Sequence, residues 1–249
     1  MKVFDSHFHI IDSRYPLVPN NGYLPEPFIC SDYLRRTRHL DLAGGAVVSG
    51  SFQAFDQAYL KAALGELGPG FVGVTQLPAT VTDQDLLALD AVGVRAIRFN
   101  VRRGASETVE RLDSFARRVY ELAGWHVELY IDARELGTLT DTLLSLPAVS
   151  IDHLGLSRDG LPMLLGLAER GVRVKATGFG RVDFDVRSVL RDLYTANPDC
   201  LMFGTDLPST RAPKRYEDAD LELVLDTFDD AAAAKVLCTN ALSFYRLTR

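Results

Sequence analysis

A single (β/α)8 barrel is the fold class that the sequence predicts, and two observations lead to it. Eight short runs rich in Val, Ile and Phe recur along the chain, and segments with helical periodicity alternate with them. The chain has 249 residues, and one such barrel typically needs about 250. We therefore expect an α/β protein in which residues 1–249 form one barrel domain.

The eight runs are predicted to be parallel strands, because several of them are apolar at nearly every position, as strands covered on both faces are. They are KVFD (2–5), GAVVSG (45–50), FVGVTQ (71–76), RAIRFN (95–100), HVELYID (126–132), VSIDH (149–153), VRVKATG (172–178) and LMFGTD (201–206). An open, doubly wound sheet is the alternative arrangement of such units. The spacing without a Pro/Ser-rich linker favours the closed barrel, and so does a first strand that no GxGxxG turn follows.

Residues that cap helices mark the connecting segments. The segment 31–43 begins with Ser, 54–68 ends with Gly, and 106–124 has both signals. Further helices are predicted at 132–146, 159–171, 183–197, 216–230 and 230–245. The connection 10–30 is long and rich in Pro, Asn and Tyr. A long loop at the carboxyl end of a strand is where a barrel enzyme builds its pocket.

Charge and cysteine content restrict the partners and the compartment. The net charge of −6 argues against nucleic acid or an anionic membrane surface as the main partner. Cys30, Cys200 and Cys238 are odd in number and widely spaced, which indicates structural thiols in a reducing compartment. No apolar run approaches the ~20 residues that span a bilayer, and the opening segment is unlike a signal peptide. We expect a cytoplasmic protein, whose oligomeric state the sequence does not predict.

The sharpest local pattern is DSHFHI, in which His7 and His9 lie two positions apart. Side chains with this spacing on a strand point the same way, so both imidazoles are expected at the carboxyl end of the first strand, facing the barrel mouth. Two imidazoles there can bind a divalent metal or transfer protons. His39 falls late in a predicted helix and His126 at the start of a strand, and we expect both to be structural.

His153 and Asp206 end two further predicted strands. His153 closes VSIDH, and Asp206 closes LMFGTD and precedes a Leu-Pro loop. Catalytic groups of barrel enzymes lie at such positions, and an acid there suits a general base or a metal ligand. A role in capping the next turn is the alternative for both residues. Asp152 has the opposite parity on the predicted strand and is expected to support the site rather than contact the substrate.

Arginines form a second group of candidate site residues. Arg98 ends the fourth strand, Arg181 follows the seventh and Arg211 follows the eighth. A guanidinium matches the geometry of a carboxylate, so converging arginines would hold an anionic substrate. Internal salt bridges or solvated loop positions are the alternatives. Other side chains at late strand positions that could hydrogen-bond a substrate are Tyr130, Ser49 and Lys175.

Four motifs, in this order along the chain, resemble the amidohydrolase-related family of (β/α)8 hydrolases: DSHFHI, RAIRFN, IDHLG and FGTDLP. The resemblance runs essentially from end to end and points to the branch that contains 2-pyrone-4,6-dicarboxylate lactonase and sugar lactonases. It implies that His7 and His9 correspond to the first-strand pair and His153 to the sixth-strand histidine. Asp206 would correspond to the eighth-strand acid, and Arg98 to an active-site arginine.

The resemblance leaves two metal contents open. Metal-rich members of the wider superfamily carry Lys or Glu at the fourth strand and His at the end of the fifth, where this chain has Arg98 and residues 130–132. A two-metal site would therefore lack its bridging ligand. Either no metal is expected, as the resemblance to the pyrone lactonases implies, or one divalent cation, with zinc first. The residues that would hold that cation are His7, His9, Asp206 and His153.

The expected reaction is hydrolysis of a small anionic substrate, a lactone or similar cyclic ester that bears a carboxylate. Asp206 would activate water, and the three histidines or one metal would polarise the carbonyl. Arg98, with Arg181 or Arg211, would hold the carboxylate. A single-metal decarboxylase of the same fold is one alternative. A non-catalytic barrel that binds a carboxylate is the other, and it is the weakest because all four polar positions are retained.

Overall fold

The computed structural model of the protein describes residues 1–247, and it contains all eight predicted strands. They are β1 (Lys2–Phe8), β2 (Asp41–Val48), β3 (Phe71–Thr75), β4 (Val94–Phe99), β5 (His126–Leu129), β6 (Val149–Ile151), β7 (Arg173–Ala176) and β8 (Leu201–Phe203). Each strand pairs in parallel with the next, in the order of the sequence. Just beyond β8, the Asp206 amide donates to the His7 carbonyl at 2.7 Å, and this bond closes the ring. The (β/α)8 barrel is confirmed.

Helices surround the barrel and connect its strands. They are α1 (Cys30–Thr37), α2 (Ala58–Leu67), α3 (Asp83–Ala91), α4 (Leu112–Ala123), α5 (Thr140–Ser145), α6 (Leu161–Glu169), α7 (Val186–Ala196), α8 (Asp218–Thr227), α9 (Asp230–Ala234) and α10 (Asn240–Phe244). Among residues 1–247, no helix has the length and apolar content that crossing a membrane requires.

Several connections differ from the prediction. The helix predicted at 31–43 ends at Thr37, and residues 41–43 belong to β2 instead. Helix α3 was not predicted, although the Thr82 hydroxyl caps it by accepting from the Asp85 amide. Helix α4 begins at Leu112 rather than at residue 106, because the Ser106 hydroxyl accepts from the Asn100 amide and so belongs to the loop after β4. The last predicted helix is divided into α9 and α10 by one π turn.

The barrel interior has an apolar half and a polar half. Its apolar side chains come from β1–β4 and β8, and they are Phe4, Ala46, Val48, Val72, Val74, Ala96 and Met202. Its polar side chains come from the end of β1 and from β4–β7, and they are His7, Arg98, His126, Glu128, Ser150 and Lys175, all of them buried. Because buried charges are costly unless paired, the polar half requires an internal network of bonds.

A bulge in β1 sets the direction of its last side chains. Asp5 pairs with Gly45 and Phe8 pairs with Val47, so β1 holds one residue more than β2 over this stretch. Asp5 therefore faces the helical layer, where Tyr33 of α1 reaches it, while His7 faces the barrel interior. A bulge that redirects a side chain in this way is common next to active sites.

The Asp5 carboxylate joins the first and last strands. Its Oδ1 accepts from the Thr205 amide at 2.8 Å and the His7 amide at 3.2 Å. Its Oδ2 accepts from the Thr205 hydroxyl at 2.6 Å and the Tyr33 hydroxyl at 3.1 Å. Burial raises the pKa of Asp5 to about 6, although these bonds oppose the rise. The carboxylate thus fixes the backbone on both sides of the barrel seam.

We expect Asp5→Ala to lower the free energy of unfolding by about 3 kcal/mol or more, because four buried donors lose their acceptor. Thr205→Val is the matched control: it removes one of those donors and should cost about 1 kcal/mol. Urea unfolding followed by circular dichroism measures both values. Equal losses in the two variants would contradict the central role of the carboxylate.

Candidate active site

His7 of β1 and His9, one residue beyond that strand, reach the barrel mouth at different depths. His9 lines the pocket, whereas His7 is fully buried beneath it, with ring centroids 5.1 Å from His9 and 4.8 Å from His153. The His9 Nδ1 lies 2.7 Å from the Val48 carbonyl. A carbonyl can only accept, so Nδ1 carries the His9 proton and Nε2 presents a lone pair. That Nε2 is 3.9 Å from Oδ1 of Asp206.

His153 follows β6 in a short 3-10 turn and has a positive φ of 53°. Its Nδ1 is buried without a hydrogen-bond partner. A Cβ on Gly178, in the loop after β7, would lie 2.6 Å from that nitrogen. Gly178 also has a φ of 64°, so glycine gives this loop both the backbone angle and the space that the imidazole needs.

Asp206 lies three residues beyond the end of β8, and its φ is 58°. A positive φ in a non-glycine residue is uncommon and is often found at functional sites. The Arg181 Nε donates to Oδ2 at 2.7 Å, and the same guanidinium donates to the Thr210 carbonyl at 2.9 Å. Oδ1 of Asp206 is buried and has no partner. One carboxylate oxygen is therefore held and the other is available.

Burial controls the charge of the site groups. It lowers the pKa of His9 to about 3. Burial also lowers the pKa of His7 and His153 well below the ordinary value, with help from the charges of Lys175 and Arg181 respectively. All three imidazoles are therefore neutral at neutral pH. Burial raises the pKa of Asp206 above its ordinary value, and the Arg181 ion pair opposes that rise.

The pocket above these groups is narrow and rich in arginine. It encloses about 30 Å³, and its charged and aromatic lining consists of His9, Phe52, Arg98, Arg103, Tyr130, His153, Arg181 and Arg211. Two neighbouring carboxylates, Asp152 and Asp206, offset only part of the four positive charges. The pocket therefore favours an anion.

Arg211 connects the loops that cover the pocket. Its Nη1 donates to Oδ1 of Asn20 at 2.8 Å, and its guanidinium lies 4.3 Å from the centroid of the Tyr23 ring. The side-chain Nδ2 of Asn20 in turn donates to the Arg103 carbonyl at 3.1 Å. The long loop after β1, predicted to build the pocket, thus meets the loops after β4 and β8 at the mouth.

The structure places two of the predicted substrate contacts differently from the sequence prediction. Arg98 lines the pocket, but its Nε and Nη2 donate to Oδ2 of Asp152 at 3.1 and 2.8 Å, and its Nη1 donates to the Ser49 carbonyl at 2.8 Å. The Ser49 hydroxyl is bonded to Tyr59 at 2.6 Å and does not line the pocket. Ser49 therefore supports Arg98 through its carbonyl. Tyr130 lines the pocket, 5.3 Å from the Arg98 guanidinium.

The contributors missed by sequence reasoning include Arg103, Asn100 and Glu128. Arg103 and Asn100 line the pocket from the loop after β4, whose conformation no periodicity predicts. Glu128 is fully buried and bonded to Lys175. The burial of Glu128 inside the barrel could have been predicted, because a charged residue alternates with apolar ones in HVELYID. Its partner Lys175 could not, because it lies two strands away and leaves no local signal.

Two groups of side chains lie close enough to hold a metal ion, within the residues that the structure describes. One consists of His7, His9 and Asp206, the other of His7, Asp152 and His153, with candidate ligand atoms within 4.8 Å of one another. The surrounding charges oppose a cation: Arg181 is bonded to Asp206, and the Lys175 Nζ is 3.4 Å from His7 Nδ1. The donor set therefore fits a metal in distance but not in charge.

This fold and this site define a (β/α)8-barrel enzyme whose polar groups meet at the carboxyl ends of the strands. The chain belongs to the amidohydrolase family, whose sequence model matches residues 4–247. The prediction of an amidohydrolase-related hydrolase is confirmed at that level.

The curated proteins that are similar to the chain include a hydrolase and an isomerase. A 2-pyrone-4,6-dicarboxylate hydrolase of Comamonas testosteroni is 31% identical over 156 residues, which cover 61% of this chain and about half, 51%, of that protein. A D-galactarolactone isomerase of Agrobacterium fabrum is 28% identical over 98% of this chain and 91% of its own.

One solved structure shares the fold at a TM-score of 0.85. It comes from Acinetobacter baumannii and is described as a probable 2-pyrone-4,6-dicarboxylic acid hydrolase with citric acid bound. It covers 99% of this chain and 100% of its own, at 20% identity.

We expect Arg181→Gln to raise the pKa of Asp206 further, because the opposite charge that stabilises the carboxylate is lost. The acid form of Asp206 should then persist to higher pH. Titration of carbon-13-labelled aspartate by NMR measures the change, with the Asp206 signal assigned from Asp206→Asn. Arg181→Lys is the control, since it keeps a positive charge and should give a smaller rise. An unchanged pKa in Arg181→Gln would contradict the ion pair.

Proposed function

We propose that the protein hydrolyses a lactone or related cyclic ester that bears a carboxylate. The observation that carries this proposal is the free, buried Oδ1 of Asp206, which lies close to His7 and His9 beneath a pocket lined by His153 and four arginines. The names of the two curated relatives, a lactone hydrolase and a lactone isomerase, support the same substrate class. The cytoplasm, expected from the cysteine content, is the proposed compartment.

Asp206 is the proposed general base. Its Oδ1 takes a proton from water as the water oxygen bonds to the lactone carbonyl carbon, and a tetrahedral oxyanion forms. The ring C–O bond then breaks, and the proton passes from Asp206 to the leaving alkoxide. A carboxyl whose pKa is raised by burial is suited to accept and return a proton in this way.

Neutral imidazoles are the proposed stabilisers of the oxyanion. The only proton of His9 is on Nδ1 and is bonded to Val48, so the donors would be His7 and His153. Preorganised N–H groups in a water-poor site stabilise developing negative charge strongly. His9 would use its Nε2 lone pair to orient the attacking water beside Asp206.

The substrate carboxylate is proposed to bind Arg211 and Arg103. Arg98 and Arg181 already form ion pairs with Asp152 and Asp206, whereas Arg211 is bonded to the neutral Asn20. Burial and the adjacent Arg103 charge lower the pKa of Arg211, which indicates a surplus of positive charge at this point. A small anion would relieve that surplus and displace Arg211 from Asn20.

The proposed reaction runs on protein groups, without a step through a metal. A pH-indicator assay on a lactone panel tests this, with chelator-treated protein assayed with and without added zinc. Proton release in both arms supports the proposal. Turnover that depends on zinc would overturn the metal-free mechanism, and zinc would then be held by His7, His9 and Asp206. No turnover in either arm, with carbon dioxide release from carboxylated substrates, would favour a decarboxylase.

Lactone isomerisation is a second candidate, favoured by the isomerase relative that aligns with 98% of the chain. In that reaction a hydroxyl of the substrate would replace water and lose its proton to Asp206. Isomerisation releases no acid, so NMR of the products distinguishes it from hydrolysis when the indicator is silent.

We expect Asp206→Asn to lower kcat by about 10²–10⁴-fold, because an amide cannot accept the proton. The variant keeps the shape of the side chain, so its melting temperature and its affinity for a substrate analogue serve as controls. Near-normal turnover in Asp206→Asn would remove Asp206 from the role of base.

We expect Arg211→Gln to raise KM about tenfold or more for lactones that bear a carboxylate, because a charge-assisted bond is lost. A neutral lactone should show little change. Arg215→Gln is the matched control, since it removes the same charge from an exposed position outside the pocket. Equal effects of the two substitutions would indicate long-range attraction rather than direct binding.

A further inference from the structure

A pair of opposite charges lies in the barrel interior directly beneath the proposed site. Lys175 of β7 and Glu128 of β5 are both fully buried, and the Lys175 Nζ donates to Oε2 of Glu128 at 2.5 Å. The proposed hydrolysis uses neither residue. Burying such a pair is costly, which raises the question of what it does for the groups at the barrel mouth.

Glu128 is held from the lower end of the barrel. Its Oε1 accepts from the Tyr245 hydroxyl at 2.6 Å and lies 3.1 Å from His126 Nε2. Burial would raise the pKa of Glu128, but the charge of Lys175 and the bond from His126 bring it below the ordinary value. Glu128 is therefore a carboxylate, and it accepts a hydrogen bond from the Lys175 Nζ.

Lys175 also contacts His7, which lies beneath His9 in the barrel. Its Nζ is 3.4 Å from Nδ1 of His7 and 3.8 Å from Oδ1 of Asp152. An ammonium has three donors and no acceptor. A bond between Lys175 and His7 therefore requires a lone pair on Nδ1, and the only proton of neutral His7 must be on Nε2.

One alternative places the His7 proton on Nδ1. Oδ1 of Asp152 is 3.5 Å from that nitrogen, but this oxygen has no partner with hydrogen-bond geometry. The other oxygen of Asp152 already accepts two bonds from Arg98. Of the two contacts of His7 Nδ1, the one with Lys175 has the geometry of a hydrogen bond.

We propose that Lys175 is a positioning residue, which keeps the proton of His7 on Nε2 and so makes His7 a hydrogen-bond donor towards the reacting carbonyl. Glu128, Tyr245 and His126 hold Lys175 in place. The two β1 histidines thus have opposite tautomers, because His9 carries its proton on Nδ1. The tautomer stands on the contacts alone, whereas its use in oxyanion stabilisation rests on the proposed function.

The tautomers are measured by nitrogen-15 NMR of the histidine rings in the full-length wild-type protein without substrate. His7→Gln and His9→Gln assign the signals. We expect a protonated Nε2 and an unprotonated Nδ1 in His7, and the reverse in His9. A protonated Nδ1 in wild-type His7 would overturn the proposal without any further variant.

A variant tests whether Lys175 is the cause. Removing one member of a buried ion pair is strongly destabilising, so the double substitution Lys175→Met with Glu128→Gln removes both charges together. We expect the His7 proton to shift towards Nδ1, facing Asp152. We also expect kcat to fall about 10²-fold or more with KM within about threefold of wild type. Unchanged His7 signals in the folded double variant would overturn the proposal.

Tyr59→Phe is the matched control for a general packing effect. Tyr59 and Tyr245 are both buried, and each makes a hydroxyl hydrogen bond of 2.6 Å. The partner of Tyr59 is Ser49, which does not belong to the Lys175–Glu128 network. Loss of the Tyr59 hydroxyl should leave the His7 signals unchanged, and a change equal to that of the double variant would overturn the assignment to Lys175. The expected tautomers together with no lactone turnover would support the role of Lys175 in placing the proton and count against the proposed reaction.

Discussion

The Asp5 carboxylate, set by the bulge in β1, is the interaction on which the site depends. It fixes the amides of His7 and Thr205 at once, so the strand that carries the histidines and the loop that carries Asp206 share one anchor. Without the bulge, Asp5 and His7 would face the same side of the sheet, since their spacing is two residues. The extra residue lets one serve the outer layer and the other the interior.

Charge inside the barrel is paired, and the histidines stay neutral. Each buried carboxylate below the mouth has its own cation: Asp152 has Arg98, and Glu128 has Lys175. Because the imidazoles of His7 and His153 are desolvated, which lowers their pKa well below the ordinary value, neither takes a proton at neutral pH. The positive surplus is confined to the arginines of the mouth, where an anionic ligand would arrive. The charges in the barrel interior thus cancel one another, whereas the entrance carries a net positive charge.

Periodicity and strand-end position account for the features that were predictable from the sequence. All eight strands, the closed barrel, and the meeting of His7, His9, His153 and Asp206 depend on alternation and on parallel strand ends sharing one edge. The direction of the Ser49 hydroxyl and the pairing of Lys175 with Glu128 depend on register between strands that are distant in sequence. Arg103 depends on a loop conformation. Neither strand register nor loop conformation leaves a pattern in the local sequence. The β1 bulge also interrupts the alternation from which the directions of side chains are inferred.

Tyr245 gives the network beneath the site a consequence for synthesis of the protein. Its hydroxyl bonds to Glu128, 117 positions earlier in the chain, and lies 3.3 Å from the carbonyl of Ser6. A growing chain can form the first strands long before this residue leaves the ribosome, but the charged interior is then incomplete and open to water. The bonded network beneath the pocket is therefore completed only after Tyr245 has been synthesised. A chain that ends before Tyr245 would still contain the site histidines. The charged side chains in its barrel interior would, however, remain exposed to water.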